Sequence, residues 1–360
     1  MTRAAVVVSF RLGGGDGVSV EARKWRTALT TLGFAVRAVA GDLGGDAGPD
    51  DVVVPGLGIT DADPVDPAAL RRTLDGADLV VVENLCSLPL NVAAARTTAA
   101  VLADHPGRVV LRHHDLPWQR RHLQALDREF PPRLADALHT TINLRSRREL
   151  IARGYAPVVT IQNHFDLDAP LGDRDTTRRR LGFRDDELVL FQPTRAIERK
   201  NVPGAIRYVA SLARAMPDRA VRYWLTGPAE DGYETTLDRL VERSPVPVTI
   251  APAPAVADGY AAADVVLLPS TWEGFGNPTI ESVWARRPLV VNSYPVLSEI
   301  TTCGVRFFDL DDVAALVRFL ATPDPTLFDV NLRRARSSFS IADLPAAIDA
   351  AFASMGWTAW

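Results

Sequence analysis

A chain of 360 residues is longer than a single hydrophobic core usually grows, so two domains of roughly 150 residues or more are expected. Its hydrophobic fraction of 47% and charged fraction of 23% are those of an ordinary folded protein. The formal net charge of -4, from 40 Lys and Arg against 44 Asp and Glu, excludes the basic footprint of a nucleic-acid binder but leaves room for a local cationic site for a small anion.

The chain opens on MTRAAVVVSFRLGGG, whose apolar run is too short for a signal-peptide core and ends in glycines. The run AAVVVSF is the first of a series, followed by DLVVVEN, RVVLRHHD, TTIN and PVVTIQN, each leading into a polar or glycine-rich loop and a helix-like segment. Near-continuous apolar runs of this length predict strands buried on both faces, hence a parallel sheet sheathed in helices. Apolar periodicity then lapses in NHFDLDAPLGDRDTTRRRLGF, residues 163–183, where the domain break is expected. The pattern restarts with ELVLFQPT, VRYWLTG, VPVTIAP, ADVVLLPST and RPLVVNS. An α/β protein of two doubly wound domains follows, 1–168 and 169–335, with an alanine-rich helical tail over 336–360 that packs back on the first domain. No apolar run reaches membrane-spanning length, and the widely separated Cys86 and Cys303 cannot by themselves make a zinc cluster. A soluble, cytoplasmic protein is expected, with peripheral membrane contact left open.

In open parallel sheets ligands bind beyond the carboxyl ends of the strands, and a cleft between two facing domains is a common place for them. The loops after the strands are loaded here. Gly13, Gly14, Gly15 and Gly17 turn the chain into a helix beginning near Val18; they either cradle a phosphate on free N–H groups or simply make a flexible turn. His113, His114 and Asp115 end one strand, followed by Pro117 and Trp118 as a wall for a sugar ring. All six histidines (His105, His113, His114, His122, His139 and His164) lie before residue 165, so any imidazole at a site comes from the first half. A histidine beside a carboxylate suits acid/base work, sugar hydroxyls or a metal, and suits equally a hydrogen-bonded strand end. Arg195 and Lys200, with Arg199 competing, offer a fork and a point charge to one diphosphate. In EGFGNPTIE, Asn277 reads as an N-cap and Pro278 as the first helical residue, which puts Glu281 in the first turn facing the cleft mouth. Glu281 then either binds a ribose or only complements the helix dipole. Glu273 suits the hydroxyls of a pyranose, and Gly274 and Gly276 allow close approach of the backbone.

PSTWEGFGNPTIESVWARRPLVV resembles the signature of family-4 glycosyltransferases of GT-B fold. The first loop and helix GGGDGVSVEARKWRTALTTLGFAVRAVA, the step HHD, the interdomain IQNHFD, PTRAIERKN and AAADVVLLPS are similar to further family segments in the same order. The resemblance implies transfer of a hexose from a UDP-, GDP- or ADP-linked sugar to an acceptor, with retention at the anomeric carbon, no cofactor and no catalytic metal. It implies Arg195 and Lys200 on the diphosphate, Glu273 on the sugar, Glu281 on the ribose, and Gly274, Phe275, Gly276 and Asn277 along the donor. It places His114 by the reacting sugar with His113 and Asp115 as neighbours, and the acceptor near Gly14, Gly15, Asp16 and Trp118. The chain departs from the pattern at Arg287 and Asn277, at His164, and in NSYPVLSEI, which lacks a glycine pair before Glu299. Three competing readings are a metal-dependent transferase using one of the DAD, DLD or DRD pairs, a catalytically silent nucleotide-sugar binding protein, and a sugar-nucleotide epimerase.

Overall fold

The computed structural model describes residues 3–45 and 47–358. The chain forms two compact units, one running up to His164 and resuming at Ile341, the other spanning Phe165–Ser340.

In the first unit, β1 (Arg3–Leu12), β2 (Phe34–Leu43), β3 (Val52–Val53), β4 (Leu79–Glu83), β5 (Arg108–His113), β6 (Leu138–Thr141) and β7 (Val158–Thr160) form one sheet. The order is β3-β2-β1-β4-β5-β6-β7, and every pairing is parallel. Helices α1 (Gly17–Thr31), α2 (Pro67–Leu74), α3 (Val92–Ala103) and α4 (Leu144–Ala152) are the crossovers. In α1 the residues Ser19, Ala22, Trp25, Ala28 and Leu29 recur on one face of the helix and are buried against the sheet. On that same face lie Leu344, Ile348 and Phe352, which the chain returns to this unit after Ser340.

The second unit has β8 (Leu188–Gln192), β9 (Val221–Leu225), β10 (Val248–Ile250), β11 (Val265–Leu268), β12 (Leu289–Val291) and β13 (Phe308–Asp309), in the order β10-β9-β8-β11-β12-β13 and again all parallel. Its helices are α5 (Arg174–Leu181), α6 (Val202–Ala215), α7 (Glu234–Glu242), α8 (Val256–Ala262), α9 (Pro278–Trp284), α10 (Leu297–Thr301), α11 (Val313–Ala321) and α12 (Thr326–Phe339), and α13 (Leu344–Ser354) belongs to the first unit.

Three strands, β2, β3 and β13, lie outside the apolar runs of the sequence. β2 is interrupted by Arg37 and half exposed along its length because it lies next to the edge, so no unbroken apolar run marks it. β3 and β13 are edge strands of two residues each, too short to carry any period. Part of the stretch expected to be polar linker is helix α5. Its sequence RDTTRRRL has no apolar stripe because arginines hold it in place. Arg174 and Arg178 donate to the carbonyls of Ala261, Ala262 and Ala263 at the end of α8 and pair with Asp264. Arg287, one of the positions at which the chain departs from the pattern it resembles, donates to the carbonyls of Tyr260 and Ala261 in that cluster. Three guanidinium groups therefore satisfy carbonyls that a helix end leaves open, at the negative pole of its dipole.

Candidate functional site

Each sheet has a point where the chain reverses its direction of winding, between β1 and β4 in the first unit and between β8 and β11 in the second. At such a point adjacent strands send their following loops apart and leave a crevice, where ligands of open parallel sheets bind.

In the second unit, residues 194–201 follow β8 and residues 269–277 follow β11. They are tied together. Asn201, in the left-handed region at φ 51°, accepts from Gly204 N–H at 3.1 Å to start α6 and donates to Pro269 C=O at 3.0 Å. Thr271 N–H donates to Arg199 C=O at 2.9 Å. Beneath them Gln192, fully buried, donates to Lys200 C=O at 3.0 Å and to Thr194 Oγ1 at 2.9 Å while accepting from Tyr223 Oη at 2.8 Å. The result is a rigid frame for charges. Lys200 Nζ lies 2.5 Å from Glu273 Oε1, and Arg199 Nη1 lies 3.1 Å from Glu273 Oε2 and donates to Trp272 C=O at 3.0 Å. Lys200 and Glu273 are only 8% and 7% exposed.

Burial pushes the Glu273 carboxyl up, but Lys200 and Arg199 outweigh it and bring it down to about 2. Lys200 moves down, chiefly through burial and with repulsion from Arg199 and Arg195 added, against the pull of Glu273. The pair is ionised, and each member depends on the other. The Arg195 guanidinium pairs with Glu230, and Gly227 approaches its backbone closely. The cation sharing the carboxylate with Lys200 is Arg199.

Within EGFGNPTIE the structure separates roles that the sequence ran together. Phe275 is 2% exposed and packs against Phe165 and Phe339, so its ring is a core anchor and not a donor contact. Gly276 has φ +94°, and a Cβ there would meet Tyr294 Oη at 2.4 Å, so glycine is required by both backbone and neighbour. Asn277 makes no side-chain cap bond, contrary to expectation. It has helical φ and ψ of -45° and -39°, whereas a capping side chain needs an extended backbone to reach the N–H groups ahead. Glu281 does lie in the first turn of α9, but its Oε2 accepts from the hydroxyl of the fully buried Tyr260 at 2.6 Å. Gly274 is partly buried beside Glu273.

In the first unit, α1 begins at Gly17, one residue before Val18, and Asp16 is its N-cap. The Asp16 carboxylate takes the N–H groups of Val18 and Ser19 at 3.1 and 3.2 Å and the Ser19 hydroxyl at 2.8 Å, and pairs with Arg11. Of the glycines, Gly15 is exposed, with open space where a Cβ would stand, and Gly14 is partly buried beside Asp16. His113 is not available to a ligand. It is fully buried, with Nδ1 2.6 Å from Ser87 Oγ and Nε2 2.9 Å from His139 Nδ1. Burial drives its pKa well down and lowers that of His139 to about 4, so the stacked rings are neutral. His114, 6% exposed, has Nε2 2.7 Å from Glu83 Oε2. Asp115 pairs with Arg120, and Trp118 donates from Nε1 to Glu149 at 2.8 Å with the Arg153 guanidinium 4.0 Å over its ring, which covers a face expected for a sugar. His164 is buried with Nδ1 2.7 Å from Gln162 C=O.

Gln192, Asn201, Tyr260, Glu21, Glu83 and Arg112 join these sites in addition to the residues expected from the sequence. A signal existed for two of them: Glu83 and Arg112 are charges at the ends of otherwise apolar runs, and such charges are seldom buried without a partner. The DxD pairs are local turns and caps. Asp173 caps α5, while Asp61, Asp166 and Asp309 accept from nearby backbone N–H groups. Among the described residues no group of three His, Cys, Asp or Glu side chains is placed to hold a metal.

The family described as Glycosyl transferases group 1 matches residues 188–322, which contain Arg195, Lys200 and Glu273. Two curated relatives are named mannosylglucosylglycerate synthase. The one from Petrotoga mobilis is 25% identical over 87% of each chain, and the one from Thermotoga maritima is 27% identical over 85% of this chain and 84% of its own. Among solved structures, Anabaena HepE in complex with UDP and glucose superposes with a TM-score of 0.75 at 17% identity, covering 98% of this chain and all 100% of that one. Sucrose-phosphate synthase from Thermosynechococcus elongatus gives 0.73 at 15% identity over 99% and 100%. The chain is a glycosyltransferase of GT-B fold, and residues 188–322 of its second unit are similar to the group 1 glycosyl transferases.

Proposed function

We propose that the chain moves a hexose from a nucleotide-diphosphate sugar to an acceptor hydroxyl, with retention at the anomeric carbon and without a catalytic metal. The observation that carries the reading is the buried Lys200–Glu273 pair at the switch point of the second sheet, with Arg199 on the same carboxylate. A lysine and a carboxylate this deeply buried add little to a fold, since desolvation consumes most of their attraction. They suit a ligand that brings both hydroxyls and negative charge. Glu273 has lone pairs left after its two cations and accepts hydrogen bonds from the transferred sugar. Lys200, with Arg199 and Arg195 about it, faces the diphosphate and stabilises the charge that grows on it as the glycosidic bond breaks. Release of Arg195 from Glu230 accompanies this step.

Glu281, held by Tyr260, takes the ribose hydroxyls, while Gly274, Gly276 and Asn277 let the donor lie close to the start of α9. His114 is the histidine for the reacting sugar, and Gly14, Gly15 and Asp115 belong to the acceptor side. The free thiols, Cys86 buried and Cys303 partly so, fit a reducing, cytoplasmic setting. The name shared by the two curated relatives makes glucosylglycerate the first acceptor to assay.

The test is to incubate the protein with UDP-, GDP- and ADP-linked glucose and mannose, each with and without glucosylglycerate and with EDTA present. Nucleoside diphosphate release that depends on acceptor, with a product of unchanged anomeric configuration by NMR, is expected. Donor conversion without acceptor, or activity abolished by EDTA, overturns the reading.

A further inference from the structure

Glu83 and Arg112 stand opposite each other in the register of β4 and β5 and are 0% and 1% exposed. Arg112 Nη1 donates to both Glu83 oxygens, at 2.9 and 3.0 Å. Its Nη2 lies 3.5 Å from Glu21 Oε2, and its guanidinium sits 4.6 Å from the Trp25 ring centroid. Lys24 completes the cluster at 2.6 Å from Glu21. Replacing such a buried group by well-packed apolar residues is commonly neutral or stabilising, so the fold alone does not call for it. What an apolar residue cannot do is accept the proton of His114 Nε2, which points at Glu83 Oε2 across 2.7 Å.

An ionised carboxylate only accepts hydrogen bonds, so Nε2 must be the donor, and in the neutral ring the lone pair is then left on Nδ1. Arg112 keeps Glu83 in that role: burial alone pushes the carboxyl up, but Arg112 and His114 hold it below the usual range. Nδ1 of His114 receives no hydrogen bond from the described residues.

We propose that Glu83 is a positioning residue that fixes His114 as the Nε2–H tautomer and so presents Nδ1 as a hydrogen-bond acceptor for a sugar hydroxyl. This rests on the reading of His114 as a residue that meets the reacting sugar. The substitution Glu83→Gln tests it sharply. Arg112 can only donate, so the single amide oxygen of the glutamine turns to Arg112 and its NH2 faces Nε2. The ring must then give up its Nε2 proton and carry it on Nδ1, and the group facing the sugar changes from acceptor to donor.

Two readouts are expected. In ¹⁵N spectra of the imidazole nitrogens, with the His114 signals identified by their loss in His114→Gln, the wild type shows the Nε2–H tautomer and Glu83→Gln shows Nδ1–H. In transfer assays Glu83→Gln lowers kcat by about tenfold or more, as a wrong tautomer does at other histidine sites, while donor KM changes little. In the His114→Ala background the same substitution has no further effect on kcat. A wild-type Nδ1–H tautomer overturns the proposal even if Glu83→Gln does not fold. So does an equal loss on adding Glu83→Gln to His114→Ala, which marks a purely structural role. If His114→Ala leaves kcat unchanged while the tautomer still flips in Glu83→Gln, the reading of His114 has failed and the link between Glu83 and His114 stands.

Discussion

Glu273→Gln keeps the shape of the site and removes one charge from a triad of two cations and a carboxylate. Lys200 Nζ and Arg199 Nη1 lie 2.5 and 3.1 Å from its oxygens, and Lys200 is 8% exposed, so solvent screens little of the loss. One amide oxygen can still accept from one cation, while the NH2 group then faces the other. Taking the partner from a buried ion pair costs about 3 to 5 kcal/mol, and the retained hydrogen bond puts this case near 3. For a unit of this size, 1 kcal/mol moves Tm by roughly 2 to 4 °C, so a fall of about 6 to 12 °C is expected. The reading of the cations makes a second demand. A diphosphate would supply the missing negative charge, so UDP, GDP or ADP, whichever the protein binds, should raise the Tm of the variant by more than it raises that of the wild type. Differential scanning fluorimetry with and without each nucleotide at millimolar concentration measures both. An unchanged Tm in the variant would falsify the buried pair. A nucleotide shift no larger than in the wild type would refute the assignment of Lys200 and Arg199 to the diphosphate.

Tyr260→Phe removes a 2.6 Å hydrogen bond to Glu281; at about 1.5 to 3 kcal/mol for a bond to a charged group, donor KM should rise by tenfold or more with kcat nearly kept. Steady-state kinetics decide it, and an unaltered KM removes Glu281 from the ribose. Gly276→Ala should lose folded protein or thermal stability, and Tyr294→Phe should relieve only the 2.4 Å contact and not the strain of φ +94°. Full rescue by the double variant would show that the backbone strain is not real. Glu273 titrates in the folded protein at about 2, below its ordinary value of 4.5. Its contribution to stability is therefore complete above about pH 4.5 and fades as pH falls toward 2, because the unfolded chain takes up the proton first. Tm measured from pH 6 down to 2.5 should fall more steeply for the wild type than for Glu273→Gln, and parallel curves would contradict the depressed carboxyl.

How much of this was legible in the sequence depends on what each residue's neighbours had to supply. Fully buried parallel strands announce themselves as apolar runs, so β1, β4, β5, β8 and β11 were readable, and with them the doubly wound class. β2 was not, because its edge-side position tolerates Arg37, and α5 was not, because arginines and carbonyls hold it where apolar packing usually would. The charges of the candidate site were named from their places after strands, which chain order fixes. Their partners were not, since pairing depends on which strands are neighbours. The adjacency of β8 and β11 brings Arg199 and Lys200 onto Glu273 and leaves Arg195 to Glu230. The adjacency of β4 and β5 sets Glu83 against Arg112 and, two residues further along the chain, His114. By itself the sequence determined the layers, the glycine at position 276 and the types of charge available, because backbone sterics and hydrophobic burial act locally. Only the tertiary structure decided which charges meet and which histidine is sealed away, because a hydrogen bond or an ion pair needs two groups within about 3 Å, and the strand order alone puts them there.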